Sequence, residues 1–155
     1  MALDQAYQDT AVVRAFENLG GTAVFHRAIR DRMEAHDLLM SGVPSQALVY
    51  LWSSLDRSVE ADSLEKLLGV SLRTIQRFRK SERLLDMDQG NQAWTVAEVL
   101  GRAESILGTR AAAEGWLEKP AMALNRRRPV DLLATRAGTK LVEDYLTQLD
   151  YGVYV

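Results

Sequence analysis

The sequence predicts an all-α protein, a helical bundle with short connections between its helices. Three observations predict this class. Apolar residues recur at the 3.6-residue spacing of amphipathic helices through most of the 155 residues. No alternating stretch of β-branched residues, the pattern of a half-buried strand, stands out before the last residues of the chain. Glycines and prolines interrupt the helical pattern at positions where helices are expected to end.

The N-terminal half contains five predicted helices. Gly20-Gly21 separates the first two. The second is expected to continue to Ser41-Gly42-Val43-Pro44, where glycine can stop a helix and proline cannot continue one. The uncharged stretch that follows predicts a buried helix. The ranges predicted for the third, fourth and fifth helices are 46–55, 63–68 and 72–80.

The C-terminal half contains four predicted helices. A turn is expected at Asp88-Gln89-Gly90-Asn91, before a long helix that Gly108 ends. Pro129 suits the start of a short helix, and Thr135 is a good N-cap for the last one. The predicted ranges are 95–107, 111–117, 130–133 and 136–149.

Composition and charge exclude several classes of protein. The net charge is −2, from 19 Lys and Arg against 21 Asp and Glu, so any nucleic-acid surface must be a local patch. Cysteine is absent, which excludes disulfides and thiolate metal sites and fits a reducing cytoplasm. The uncharged stretch 38–55 contains Gly-Val-Pro and several serines, so it is not expected to span a membrane. No signal-peptide pattern stands at the start of the sequence, and a soluble cytoplasmic protein is expected.

No pattern for catalysis, for a cofactor or for a metal ion stands out. The two histidines, His26 and His36, have no carboxylate or other partner at metal-ligand spacing. Nucleophile motifs and phosphate-binding glycine loops do not occur either. The sequence therefore predicts a non-enzymatic protein without a cofactor or a metal.

Residues 61–80 predict a helix-turn-helix, the unit that places its second helix in the major groove of DNA. Gly69 supplies the backbone freedom for the turn, and Val70 fills the space between the helices. One residue does not fit, because Glu65 stands at an inner position where a small alanine is usual. The apolar residues expected to pack between the two helices are Leu64, Leu68, Ile75 and Phe78.

The second helix of this unit has a basic outer face. Between positions 71 and 83 there are five basic residues and one acid, a local charge of +4. Arg73, Thr74 and Arg77 are expected nearest the bases, since arginine pairs two-pronged with guanine. Arg79, Lys80 and Arg83 are expected nearer the DNA backbone. The alternative is a hairpin whose basic face only contacts solvent. The predicted DNA-binding residues are Arg73, Thr74, Gln76, Arg77, Arg79 and Lys80.

Short motifs follow one another through the C-terminal half. As an ordered set they resemble the toxin-binding domain of Xre/MbcA/ParS-type antitoxins, and the preceding helix-turn-helix belongs to the same arrangement. The resemblance covers about residues 46–155. It is interrupted at Asn125 and Arg126-Arg127-Arg128, where the family usually has a glycine-containing turn. The motifs are Gly101-Arg102-Ala103-Glu104, Ala113-Glu114-Gly115-Trp116-Leu117-Glu118-Lys119-Pro120, Ala123-Leu124, Pro129-Val130-Asp131-Leu132-Leu133-Ala134-Thr135, Ala137-Gly138, Val142 and Tyr151-Gly152-Val153-Tyr154.

The resemblance implies a function and two partners. It implies a type II antitoxin whose cognate toxin is a RES-domain enzyme that breaks down NAD. The C-terminal domain of such an antitoxin covers the toxin's active site, while the helix-turn-helix represses the shared operon. A homodimer is expected on operator DNA, because helix-turn-helix proteins bind paired half-sites. The residues expected to build the C-terminal domain without contacting the toxin are Trp116, Leu132, Leu133 and Thr135.

The last five residues are expected to contact the toxin. Four of them are large and apolar, none has a charged side chain, and tyrosine is a frequent anchor at interfaces. The carboxylate of Val155 or a tyrosine hydroxyl is expected to meet basic residues of the toxin's NAD pocket. The alternative is a tail that folds back on its own helices. The predicted toxin-binding residues are Tyr151, Gly152, Val153, Tyr154 and Val155.

The chain is thus predicted to have three parts. They are an N-terminal helical extension over 1–45, a helix-turn-helix region over 46–90 and a C-terminal toxin-binding domain over 91–155. Two other functions stay open. One is a plain helix-turn-helix transcriptional regulator whose C-terminal helices only dimerise, and the other is an adaptor that never touches DNA. Either the final helix or the N-terminal pair could form the dimer interface.

Overall fold

The computed structural model describes residues 2–152 and confirms the all-α prediction. Within that range the chain forms ten α-helices and no strand, and a 3-10 helix covers Met122–Leu124. The helices are α1 (Ala2–Asn18), α2 (Gly21–Phe25), α3 (Arg32–Ser41), α4 (Ser45–Leu55), α5 (Ala61–Leu68), α6 (Leu72–Lys80), α7 (Met87–Leu107), α8 (Arg110–Leu117), α9 (Pro129–Leu132) and α10 (Arg136–Asp150).

The long helix α7 is the centre of the bundle. It packs along α1 and also contacts α3, α4, α5, α8 and α10. Ala93, Val96, Ala97, Leu100 and Ala103 on α7 are all fully buried, as expected for a helix covered on most of its sides. One hydrophobic core extends from α1 through α4, α5 and α7 to α10. The segments predicted from the sequence to bind DNA and to form the C-terminal domain therefore share one hydrophobic core around α7.

Glu98 is the polar exception on α7. Its Oε2 accepts a hydrogen bond from Nε1 of Trp94 at 2.9 Å. Burial raises the pKa of Glu98 above its ordinary value, although the bond from Trp94 and the charges of Arg32 and Arg102 act in the opposite direction. The protonated form of Glu98 is therefore favoured by folding, and its contribution to stability is lost as the pH rises through the raised pKa.

The prediction of one helix between Gly20-Gly21 and Ser41 is wrong. α2 ends at Phe25, and His26 follows in the left-handed region with a φ of 57°. α3 then begins after Asp31, whose side chain accepts a hydrogen bond from the backbone N–H of Glu34. The physical reason is this local N-cap, which starts a new helix inside a continuous apolar pattern.

The turn predicted at Asp88-Gln89-Gly90-Asn91 is also wrong, because these residues form the first turn of α7. Asp86 caps the helix by accepting from the N–H of Gln89, and the Gln89 side chain accepts from the N–H of Asp86. This reciprocal capping box outweighs the turn preference of the intervening residues. Gly90 packs closely against Val43, since a Cβ there would lie 3.2 Å from Cγ2 of Val43 and would require a small shift of that side chain.

The other predicted helices are confirmed. α4, α5, α6, α8, α9 and α10 begin and end within two residues of the predicted positions. Pro129 is the first residue of α9, and Oγ1 of Thr135 caps α10 by accepting from the N–H of Gly138 at 2.9 Å. In the part of the chain that the structure describes, no helix combines the length and apolar character needed to cross a membrane.

The junction of α9 and α10 requires a glycine at position 138. A Cβ on Gly138 would overlap the backbone carbonyl oxygen of Leu132 at the end of α9. It would also lie 3.0 Å from Oγ1 of Thr135, the capping atom. The first turn of α10 and the end of α9 can approach this closely only because residue 138 has no side chain.

We expect Gly138→Ala to lower the free energy of unfolding by about 2 kcal/mol or more, because the overlapping atom is backbone and cannot rotate away. Chemical denaturation followed by circular dichroism measures this change. Gly115→Ala is the matched control, since no atom lies within 4 Å of a Cβ there and Gly115 is inside α8. The control is expected to stabilise by up to about 1 kcal/mol through helix propensity. Equal effects of the two substitutions would contradict this account.

Candidate functional site

The α5–α6 unit has a tight turn between two short helices. α5 ends at Leu68, and Gly69 follows in the left-handed region with a φ of 69°. Its N–H donates to the carbonyl of Glu65 at 2.9 Å, which closes the helix. Val70 is buried in the turn and anchors it to the core.

Two side chains fix the start of α6. Oγ of Ser71 accepts from the N–H of Thr74 at 3.1 Å, and Oε1 of Glu65 accepts from the N–H of Leu72 at 3.0 Å. Both bonds satisfy backbone donors that a helix start leaves free, and the carboxylate also suits the positive end of the helix dipole. Glu65, the residue that the sequence left unexplained, is half-buried and holds the second helix to the first.

α6 packs mainly on α4, whereas the sequence suggested packing on α5. Ile75 and Phe78 are buried in the same core as Leu64 and Leu68. Nε2 of Gln46 on α4 also donates to the carbonyl of Phe78 at 3.0 Å. The unit is therefore a three-helix arrangement in which α4 and α5 both support α6.

The outward face of α6 is basic and free to contact a partner. Arg73, Gln76, Arg77 and Lys80 are exposed, and none of them forms a hydrogen bond or ion pair with the described residues 2–152 through its side chain. These four donors lie opposite Ile75 and Phe78, which face the core. Unpaired guanidinium and amide groups on one exposed helix face are suited to phosphate oxygens and base edges.

Two of the predicted DNA-binding residues, Thr74 and Arg79, do not extend from the outward face of α6 as predicted. Thr74 is half-buried, and its hydroxyl lies 3.1 Å from Oγ of Ser71 within the helix start. Arg79 is exposed but extends back toward α4, where its Nη2 donates to Oγ of Ser53 at 3.3 Å. The structure therefore groups Arg73, Gln76 and Arg77 with Lys80, while Thr74 and Arg79 contact the protein itself.

The C-terminal domain is built around α8 and α10. Trp116 and Leu133 are buried, and Leu132 packs against the core from a half-buried position. The rings of Trp116 and Tyr145 are 6.1 Å apart and tilted by 36°. These contacts join α8, the end of α9 and α10 into one packed unit.

The arginine run forms a turn and an ion pair. Asn125 and Arg126 both have left-handed backbone, with φ values of 54° and 64°. That geometry favours glycine, so the turn keeps a glycine-like shape although the sequence has none there. Arg128 is held by Asp131 through two bonds of 2.8 and 2.9 Å. The hydrogen bonds from Arg128 lower the pKa of Asp131, which keeps this pair ionised well below neutral pH.

A polar network that the sequence did not predict joins α1, α4 and α8. Nη1 of Arg110 donates to Oδ1 of Asn18 at 2.6 Å, and Nη2 donates to Oγ of Ser54 at 3.1 Å. Glu114, which is 9% exposed, accepts from Oγ of Ser58 at 3.1 Å. No local sequence pattern signals this network, because its members lie on three separated segments.

The predicted tail lies partly outside the described residues. Tyr151 is 80% exposed, and Gly152 is exposed with a φ of 71°. Val153, Tyr154 and Val155 fall outside the described residues. In the described range, no three His, Asp or Glu side chains come together as a metal site.

Comparison with known proteins defines the class to which this domain belongs. Residues 102–152 match the family described as the antitoxin Xre/MbcA/ParS C-terminal toxin-binding domain. The matched range starts within α7 and covers α8, α9 and α10. It contains Trp116, Gly138 and the turn at Asn125, so the packed unit described above is a toxin-binding domain.

A relative extends the comparison to most of the chain. The protein named Antitoxin Xre from Pseudomonas putida is 28% identical over 120 residues, which are 77% of this chain and 72% of the relative. The chain is accordingly an Xre-type antitoxin with a C-terminal toxin-binding domain, and it acts in a toxin–antitoxin system.

We expect Glu65→Ala to lower the free energy of unfolding by about 1 kcal/mol, because the N–H of Leu72 loses its acceptor and the helix start loses a negative charge. Urea denaturation measures this loss. Glu65→Gln is the matched control, since it keeps an acceptor oxygen and should lose less. Wild-type stability of the alanine variant would contradict the role assigned to Glu65.

Proposed function

We propose that this antitoxin neutralises a RES-domain toxin that degrades NAD, by covering the toxin's active site with its C-terminal domain and tail. The match of residues 102–152 to a toxin-binding domain is the observation that carries the proposal. The RES identity rests on the family resemblance. The antitoxin would act by binding alone, without a cofactor and in the cytoplasm, where the toxin's substrate is found.

Exposed apolar side chains on this domain support a protein partner. Met122 is 67% exposed, Leu141 is 54% exposed and Tyr151 is 80% exposed. α10 carries Leu141 and packs against the 3-10 helix that contains Met122. Apolar and aromatic side chains at exposed positions are typical anchors of protein interfaces. The tail from Tyr151 to Val155 would continue this surface into the toxin's pocket.

The basic face of α6 supports a second role as a repressor of the antitoxin's own operon. The chain has a net charge of −2, yet positions 71–83 have a charge of +4. Arg73 and Arg77 are the exposed, unpaired arginines of α6 that we assign to the bases, with Gln76 beside them. We assign residues 1–45, 46–90 and 91–155 to the N-terminal extension, operator binding and toxin binding, in a homodimeric protein.

The toxin prediction is tested by purifying the tagged full-length antitoxin from its source cells after nuclease treatment. We expect a co-purifying protein that consumes NAD once it is separated, and full inhibition when the antitoxin is added back. Deletion of Tyr151–Val155 should weaken this inhibition, because the tail would no longer enter the pocket. The assay measures NAD loss over an antitoxin titration.

The Arg73→Ala/Arg77→Ala variant is the control for that titration, because it leaves the C-terminal domain intact and should inhibit fully. Full inhibition by the tail deletion would overturn the role of the tail. An antitoxin that purifies alone, or with a protein that leaves NAD intact, would overturn the RES assignment. An antitoxin that purifies alone would favour the plain regulator with a C-terminal dimerisation domain.

The operator prediction is tested with DNA from upstream of the antitoxin gene. A two-pronged contact to guanine contributes about 1 to 3 kcal/mol, so Arg73→Ala/Arg77→Ala should bind at least about 30-fold more weakly. Its affinity should also fall less steeply with salt, because fewer phosphate counterions are released. Fluorescence anisotropy over a salt series measures both effects.

Arg57→Ala/Arg127→Ala is the matched control, because both arginines are exposed and lie outside α6. It removes the same charge and should retain operator binding within a few-fold. Equal losses in the two double variants would show a general charge effect. Equal affinity of the unmodified protein for operator and random DNA would contradict repression.

A further inference from the structure

The outer face of α3 carries two of the most exposed apolar side chains of the described structure. Met33 is 70% exposed and Met40 is 61% exposed. They are seven residues apart, so they lie on one side of the helix about two turns from each other. The opposite side of α3 carries Ala35 and Leu38, which are buried in the core. The packing of α3 therefore directs both methionines away from the protein.

His36 and Asp37 occupy the middle of the same face. Both side chains are exposed, and each is three or four residues from the two methionines. Neither forms a hydrogen bond or ion pair within residues 2–152. Along the helix this face therefore has a methionine at each end, with a histidine and an aspartate between them. The histidine can donate a hydrogen bond and the aspartate can accept one.

This order of side chains is complementary to itself when one copy is reversed. In an antiparallel pair of α3 helices related by a two-fold axis, Met33 meets the partner's Met40 at both ends. At the centre, His36 meets the partner's Asp37, and an imidazole N–H donates to a carboxylate whether the ring is neutral or charged. A two-fold interface requires this property, because the same surface must fit itself.

Two further exposed apolar side chains lie on the segment 84–87, which contacts residues 42 and 43 just beyond the Met40 end of α3. Leu84 is 64% exposed, and its Cδ1 would lie 3.3 Å from a Cβ on Gly42, two residues after Met40. Met87 at the start of α7 is 48% exposed. These side chains enlarge the apolar area at each end of an antiparallel pair.

We propose that the α3 face, comprising Met33, His36, Asp37 and Met40, is the homodimer interface, with Leu84 and Met87 at its ends. A surface of one short helix and two flanking residues is smaller than a standard interface, so a dimer with a Kd in the range of about 10 to 100 µM is expected. The inference rests on the proposed function only where it concerns the dimer that would bind the operator.

The connection from α3 to α6 gives this dimer a consequence for DNA binding. The N–H of Ser45 donates to the carbonyl of Arg83 at 2.7 Å, and the N–H of Leu85 donates to the carbonyl of Val43 at 2.8 Å. Oγ of Ser45, which is fully buried, accepts from the N–H of Arg83 at 3.0 Å. These bonds join the segment after α3 to the segment after α6. A dimer formed through α3 therefore fixes the spacing and direction of its two α6 helices.

Sedimentation equilibrium of the isolated full-length antitoxin, up to about 200 µM to exceed the expected Kd, tests the interface. We expect Met33→Glu/Met40→Glu to weaken dimerisation at least tenfold, because two apolar contacts are replaced by repelling charges. Met122→Glu/Leu141→Glu is the matched control, with two similarly exposed apolar residues elsewhere, and should dimerise like the unmodified protein. Circular dichroism verifies that all variants fold.

A charge exchange separates this geometry from a general loss of apolar surface. Asp37→Lys should weaken the dimer, because a lysine would face the partner's imidazole in place of a carboxylate. His36→Glu/Asp37→Lys should restore the dimer, because the glutamate at position 36 would then face the lysine at position 37 of the partner.

Three results would overturn the proposal. They are a monomer across the whole concentration range, undiminished dimerisation of the Met33→Glu/Met40→Glu variant, and failure of the charge exchange to restore the dimer. The measurements contain neither toxin nor DNA. Failure of the proposed toxin or operator role therefore gives a different result from failure of the α3 interface.

Discussion

A single amide group joins α5 to the toxin-binding domain of this antitoxin through α7. Nε2 of Gln92 donates to the carbonyl of Leu67 at 2.7 Å and to the carbonyl of Leu133 at 2.8 Å. Both carbonyls lie at helix ends, where the backbone has no partner of its own. The first belongs to α5, which precedes the basic helix α6, and the second follows α9 of the toxin-binding domain. One side chain of α7 therefore helps to fix how α5 and the toxin-binding domain are placed on that helix.

The Arg110 network joins further helices of the same assembly. It ties α8 of the toxin-binding domain to α1 and α4, and Glu118 at the end of α8 accepts from the N–H of Glu60, just before α5, at 3.4 Å. Hydrogen bonds between separate helices such as these favour one orientation of the helices, since a displaced partner would lose its hydrogen bond. The hydrophobic core supplies the main driving force for packing, and the polar contacts specify how its helices meet.

Sequence patterns predicted those features that depend on a single helix. The outward face of α6 followed from helical period alone, and Thr135 was identified as a cap from its residue type and position. The two errors in the helix bounds, near His26 and at Gly90, arose where a capping aspartate started a helix within or beside a competing signal. The bond from Arg79 to Ser53 and that from Leu72 to Glu65 were not predictable, because each joins different elements. Their geometry exists only once the tertiary structure has formed.

The shared core has a consequence for how this antitoxin can lose its function. Because α1, α4, α5, α7, α8 and α10 bury their apolar residues in one cluster, the described part of the chain has no boundary at which one region could open and leave the other intact. Proteins with a single core usually unfold in one cooperative step. A protease that gains access to an opened chain would therefore remove the basic face of α6 and the toxin-binding domain at the same rate.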